Sequence, residues 1–340
     1  MPHNIVHSSR AFRNLALLTL SLIQAQSGAL RIWRNCGLAA LLCSLFACGQ
    51  FSQASDVLNP GEHFANVNGV RLWYRVAGHG PILIIQAPGW GPASPLLQRY
   101  AAPLERSFTM VYYDPRGSGK SSRPAQESKM STVDMADDLE GFRNYLGLNK
   151  IALLGHSHGA QIAAIFAARH PDRISRLVLV TGGFPKRDTP DFDTELQKTF
   201  DRLSKDPHYA DAVKAMRGPA PQTDQEFGTW FDRTAPIYWH DVSKAKALAS
   251  LPGIDSWASA ANSKADSQVA FDLSEDLKKL SAPALIIGGK DDFNIAHAEL
   301  EALKSTIPHS RLVVLENSGH FPMVEVPDSF TKVVTDFLQQ

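Results

Sequence analysis

Leu153-Leu154-Gly155-His156-Ser157-His158-Gly159-Ala160 is the most informative stretch of the chain. It has the form G-x-S-x-G and joins a short apolar run at 150–154 to an Ala- and Ile-rich stretch at 159–169. The run reads as a buried strand and the stretch as a helix. Flanking glycines let the chain reverse sharply without Cβ clashes, which lifts Ser157 above the edge of a sheet. The following helix points its N-terminus at the serine, so the His158 N–H is placed to donate to a developing oxyanion. A serine hydroxyl is a poor nucleophile until a base takes its proton, and the base needs a carboxylate to orient it. Both should follow on loops after later strands, in the order Ser, acid, His.

Two later loops supply them. Ile287-Gly288-Gly289-Lys290-Asp291-Asp292 follows a predicted strand at 284–287. Counting three residues past Gly288 selects Asp291 as the acid over its neighbour Asp292. Ser318-Gly319-His320-Phe321-Pro322 follows the last predicted strand, 311–315, and makes His320 the base.

The rest of the body alternates strand and helix. Runs at 62–68 and 71–76 meet at Asn68-Gly69, a hairpin signal because the tight turn needs positive φ. Strands are expected at 81–86, 108–113 and 177–180, and helices at 94–106, 131–146, 296–305 and 328–338. Ser131 or Thr132 caps the second helix. Continuous apolar strands separated by helices predict an α/β fold with a mostly parallel sheet covered on both faces. The alternation breaks over 184–280, which has no strand run and is rich in aromatics, among them Phe192, Phe227, Trp230, Tyr238 and Trp257. This segment reads as a helical lid inserted between two parts of the core, 56–183 and 281–340.

With these motifs the chain resembles the α/β-hydrolase superfamily, from about Asn66 to the C-terminus. The resemblance rests on residues 155–159, on Asp114-Pro115-Arg116-Gly117-Ser118-Gly119-Lys120-Ser121, on 288–291, and on Gly319-His320-Phe321-Pro322 followed by Glu325 and Pro327. The Asp-x-Arg-Gly-x-Gly-x-Ser loop and the large lid look like the proline iminopeptidase-like branch. Two motifs depart from it: Gly155-His156-Ser157-His158-Gly159 stands for Gly-Gly-Ser-Trp-Gly, and Gln86-Ala87-Pro88-Gly89-Trp90-Gly91 for the His-Gly-Gly-Pro-Gly region. An esterase-like role is therefore as well supported as an aminopeptidase one. The resemblance implies that the loop after the third strand supplies the second oxyanion donor. Pro88 has no N–H, and setting Pro88-Gly89 where relatives have His-Gly makes Trp90 that donor. The Trp90 ring lines the acyl pocket or packs in the core. An aminopeptidase would also need a lid carboxylate for the substrate ammonium; Glu195 and Glu226 are the candidates.

The expectation is a cofactor-independent serine hydrolase that cleaves a small-molecule ester or amide through an acyl-enzyme. A serine nucleophile disfavours the aspartyl-ester chemistry of dehalogenases and epoxide hydrolases. A ligand-binding receptor on the same fold is the alternative from another class. Gly117-Ser118-Gly119-Lys120-Ser121 imitates a phosphate loop, but Walker A needs glycine at position 114, which is Asp; the loop reads as structural, with Arg116 in a salt bridge. The histidines lack metal-ligand spacing, so no metal is expected, and His156 reads as packing.

Composition bounds the remaining choices. The 340 residues carry 34 Lys plus Arg and 34 Asp plus Glu. Without a cationic excess, nucleic acid is not an expected partner. The charge is uneven: no acid precedes Asp56, while Arg10, Arg13, Arg31 and Arg34 all do. Residues 1–55 form a leader with two apolar runs, 15–23 and 37–47, each shorter than the roughly 20 residues of a spanning helix. Arginines before the second run and small residues after it fit a secretory signal, with Ser52-Gln53-Ala54 suited to cleavage. Leu45-Phe46-Ala47-Cys48 also resembles a lipobox, which would anchor the protein to a membrane at Cys48. Export, soluble or lipid-anchored, is expected ahead of mitochondrial import. Cys36, Cys43 and Cys48 are the only cysteines, so the body holds no disulfide and no cysteine nucleophile. Nothing in the sequence sets the oligomeric state.

Overall fold

Short apolar runs become the sheet. The computed structural model describes residues 56–91, 93–183, 190–246, 258–269, 272–295 and 297–340. The leader readings, including the one on Cys48, fall outside them. Among the described residues eight strands form one sheet: β1 Gly61–Val67, β2 Val70–Gly78, β3 Ile82–Gln86, β4 Thr109–Tyr113, β5 Ile151–His156, β6 Ile174–Val180, β7 Ala284–Gly289 and β8 Ser310–Leu315. Their order is β1-β2-β4-β3-β5-β6-β7-β8. β1 and β2 pair antiparallel through the expected hairpin, β2 meets β4 antiparallel, and the pairs from β4/β3 to β7/β8 are parallel. Asn68 takes the positive φ that the turn demands.

Helices cover both faces. In chain order they are α1 Pro95–Tyr100, α2 Thr132–Tyr145, α3 His158–Arg169, α4 Pro190–Leu203, α5 Ala210–Met216, α6 Asp224–Thr234, α7 Ser259–Asp266, α8 Ser274–Leu277, α9 His297–Thr306, α10 Pro322–Glu325 and α11 Pro327–Leu338. Leu83, Ile85, Leu154 and Ile287 share one core cluster with Leu97 of α1 and with Phe330, Val334 and Phe337 of α11. α3 packs on β5, β6 and α2. Ser131 caps α2 by accepting the Asp134 N–H at 3.1 Å. The helix expected over 94–106 instead breaks after Tyr100 and resumes as a 3-10 turn, Ala102–Arg106. Pro103 has no N–H to continue the helical ladder.

Between β6 and β7 lies the helical insertion region, α4 to α8, and no strand occurs among its described residues. The buried loop ion pair is also present: Arg116 Nε lies 2.6 Å from Asp138 Oδ2. Asp138 is buried, which raises its pKa against the opposing pull of Arg116.

Candidate active site

β5 ends at His156 and α3 begins at His158, leaving Ser157 in the turn with φ +56° and ψ −124°. This is an unfavourable backbone for a residue with a Cβ. The surrounding close approach explains how it is held. A Cβ on Gly155 would lie 2.4 Å from the Gly159 carbonyl oxygen, and one on Gly159 2.3 Å from that of Gln86. Only glycine fits at either position, so strand, turn and helix close tightly around the serine. The Ser157 N–H donates to Val180 O at 2.9 Å.

Three side chains from three loops meet there. His320 Nε2 lies 2.8 Å from Ser157 Oγ, and His320 Nδ1 lies 2.8 Å from Asp292 Oδ2. The expected Asp291 is not the partner. Its carboxylate pairs at the surface with His240 Nδ1, 2.8 Å away, and is nearly half exposed. β7 runs on through Gly289, which pairs with Leu315, and the Lys290 N–H still donates to Leu315 O. The chain therefore leaves the sheet later than the count from Gly288 assumes, and the inward side chain is that of Asp292. Asp292 Oδ1 accepts the Asn294 N–H at 2.9 Å.

The His320 backbone is pinned on both sides. Its N–H donates to Tyr238 O at 2.7 Å, and its carbonyl accepts from His156 Nε2 at 2.9 Å and Thr181 Oγ1 at 3.1 Å. The preceding Gly319 N–H donates to Glu325 Oε2 at 2.6 Å, and Glu325 Oε1 accepts the Asp241 N–H at 3.0 Å. Burial raises the Glu325 pKa. Burial also lowers the His156 pKa to about 3, helped by the neighbouring His320. His156 is thus neutral at ordinary pH, and its Nδ1 has no hydrogen-bond partner. Packing describes it incompletely: it is a strut for His320.

The loop after β3 reaches the serine from the other side. The Gly89 N–H donates to His158 Nδ1 at 3.1 Å. His158 Nε2 lies 2.8 Å from Thr132 Oγ1, and Thr132 Oγ1 lies 2.5 Å from Asp266 Oδ2. The Trp90 ring packs edge-on to Phe227, with centroids 5.4 Å apart, and tilted against Phe231 at 5.5 Å.

The profile of the alpha/beta hydrolase fold matches residues 81–327 of this chain. The chain belongs to that family. This α/β-hydrolase family member is 27% identical over 312 residues to a proline iminopeptidase of Saccharolobus solfataricus, covering 83% of this chain and 94% of that one. It is 28% identical over 282 residues to a 2-hydroxy-6-oxononadienedioate/2-hydroxy-6-oxononatrienedioate hydrolase of Pseudomonas putida, covering 79% and 92%. The structure of an alpha/beta fold family hydrolase from Bacillus anthracis matches with a TM-score of 0.64 at 20% identity, over 81% of this chain and 98% of that one. That last likeness concerns the fold alone.

Two cavities of this α/β-hydrolase family member reach Ser157. An open cleft of about 890 Å³ is lined by Trp90, His158, Phe227, Trp230 and Asp266 among others. Asp266 and Asp272 line it, and no Lys or Arg does among the described residues. A small apolar pocket of about 30 Å³ lies between Trp90, Leu97, Phe231, Tyr238 and His320. Of the lid carboxylates, Glu226 closes the N-terminus of α6 in a capping box and accepts the Gln222 and Thr223 N–H groups. The Glu195 side chain lies outside the described residues. Among the described residues no three His, Cys, Asp or Glu are grouped to hold a metal ion, and no helix is long and apolar enough to cross a membrane.

Thr132 and Asp266 were not visible as site residues. Thr132 reads in sequence as a helix cap, and nothing around Asp266 links it to a serine 109 positions earlier.

Proposed function

We propose that the chain is a cofactor-independent serine hydrolase that cleaves carboxylic esters or amides through an acyl-enzyme. The observation that carries this reading is the continuous chain Asp292–His320–Ser157, with both links at 2.8 Å. The Nδ1–H donates to the carboxylate, which leaves the Nε2 lone pair facing the hydroxyl. Ser157 Oγ attacks the carbonyl carbon as His320 Nε2 takes its proton. The imidazolium then gives that proton to the leaving oxygen or nitrogen. Water, deprotonated by the same nitrogen, releases the acid and restores the serine. The donors assigned to the oxyanion are the backbone N–H groups of His158, the residue after the nucleophile, and of Trp90, in the loop after β3. Each such donor typically lowers the barrier by about 3 kcal/mol.

The helical insertion acts as the lid of this site. Asp266 and Asp272, which line the cleft, favour a neutral or cationic substrate over a dianion such as the one named for the Pseudomonas putida relative. The same acidic lining, with the likeness to a proline iminopeptidase, supports aminopeptidase action as the second reading. Export belongs to the proposal too, and rests on the acid-free leader with its arginines ahead of an apolar run. The test is turnover of p-nitrophenyl acetate and of amino-acid p-nitroanilides. Steady turnover abolished by Ser157→Ala is expected. Tight binding of a ligand with no turnover across the panel would instead mark a receptor.

A further inference from the structure

We propose that His158 is a positioning residue whose side chain orients the oxyanion loop, and that helix α7 of the insertion sets its hold. The inference rests on the serine-hydrolase reading. A backbone N–H can only donate, so the Gly89 contact at 3.1 Å requires a lone pair on His158 Nδ1. The ring proton then sits on Nε2 and donates to Thr132 Oγ1, 2.8 Å away. The hydroxyl donates its own hydrogen bond to Asp266 Oδ2 at 2.5 Å, while the Thr132 N–H donates to Asp266 Oδ1 at 2.7 Å. With Asp266 ionised, each donor in the chain points away from Gly89 and towards Asp266, so the order of donors and acceptors has a single solution. Such chains reinforce each other's bonds.

Asp266 is the last residue of α7, and α7 has two further ties to the same region. The Ala258 N–H, one residue before the helix, donates to Trp90 O at 3.1 Å. Asn262 Nδ2 donates to Met130 O at 2.8 Å, two residues from Thr132. The loop is thereby gripped at the peptide before Gly89 and at the peptide after Trp90. The peptide between them carries the Trp90 N–H. Its orientation is set by the two it is joined to. Gly89 is closely packed, since a Cβ there would lie 2.1 Å from Met135 Sδ. One residue thus supplies an oxyanion donor from its backbone and aims the second through its imidazole, and the seating of α7 decides whether that aim holds.

The test compares wild type, His158→Leu, His158→Asn and Asp266→Ala on p-nitrophenyl acetate, with a trifluoromethyl ketone as transition-state analogue. Loss of a whole donor costs about 100- to 1,000-fold, and misaiming one should cost less. His158→Leu is expected to lower kcat by roughly 30-fold with KM within about twofold, and to weaken the ketone in proportion to kcat. His158→Asn places an acceptor near the Nδ1 position and should recover most of the rate. Asp266→Ala should lose roughly 5-fold, and the double variant with His158→Leu should be no worse than His158→Leu alone. Should His158→Leu fail to fold, the Asn and Ala variants still decide. Wild-type kcat in His158→Leu, a change in KM alone, or fully additive losses would overturn the proposal. If wild type neither turns over an ester or amide nor labels at Ser157, the hydrolase reading itself fails, which is a different result.

Discussion

Replacing Asp292 by Asn should disable the site, while the same change at Asp291 should hardly touch it. Asp292 is covered from solvent and meets His320 Nδ1 at 2.8 Å and the Asn294 N–H at 2.9 Å. An asparagine is nearly isosteric, and its carbonyl can keep the Asn294 N–H. Its amide NH₂ then faces Nδ1, and two donors cannot face each other. The imidazole responds by moving its proton to Nε2, where it points at Ser157 Oγ and cannot accept. A wrong tautomer of this kind costs about 10³- to 10⁴-fold in kcat, or about 4–5.5 kcal/mol of barrier. Asp291 touches His240 and not His320, and an exposed pair of that kind contributes less than about 1 kcal/mol to stability. Asp291→Asn should therefore stay within about twofold of wild-type kcat. Initial rates on p-nitrophenyl acetate, with thermal melts to confirm folding, measure both. Collapse of activity in Asp291→Asn with Asp292→Asn spared would refute the geometry.

Three further outcomes follow from buried groups. The folded His156 pKa of about 3 lies below the ordinary value of 6.5, so only the unfolded chain takes up that proton as pH falls from 6.5. Stability from this residue is complete above pH 6.5 and declines towards pH 3, by about 2 kcal/mol at pH 5. His156→Gln can still donate to His320 O and should lose about 2 kcal/mol less than wild type between pH 7 and pH 5; parallel urea curves for the two would contradict this. Arg116→Met leaves the Asp138 carboxylate buried without its partner and should cost about 3–5 kcal/mol, with Arg116→Met/Asp138→Leu milder, as read by guanidinium unfolding. Gly155→Ala drives a Cβ to 2.4 Å from Gly159 O. It should cost about 1–3 kcal/mol and lower kcat more than tenfold, because relief requires the turn that carries Ser157 to shift.

Local chemistry explains what could be read from the chain alone. The 155–159 turn was readable because only glycine tolerates the approaches found there, so the site leaves a mark in the sequence. The hairpin at Asn68-Gly69 was readable for a similar reason. Central strands announce themselves as unbroken apolar runs, as in β3 and β7. The count from Gly288 points to Asp291 while His320 bonds to Asp292, because counting residues cannot see where a strand stops pairing. Gly289 continues the ladder with Leu315, and that shifts which of two adjacent carboxylates faces inward. The helix expected over 94–106 ends after Tyr100, because Pro103 cannot continue the helical ladder. His156, Thr132 and Asp266 escaped because their roles are made by contacts 164, 26 and 134 positions apart, which no local pattern encodes.

Intact-protein and peptide mass spectrometry after reaction with a fluorophosphonate reads most directly whether residue 157 is an activated nucleophile. The prediction is one adduct per chain, on the peptide carrying Ser157, absent in Ser157→Ala and slowed at least a hundredfold in His320→Ala. No adduct on the folded wild-type protein, an adduct on another serine, or labelling of Ser157 at the same rate without the imidazole would contradict it.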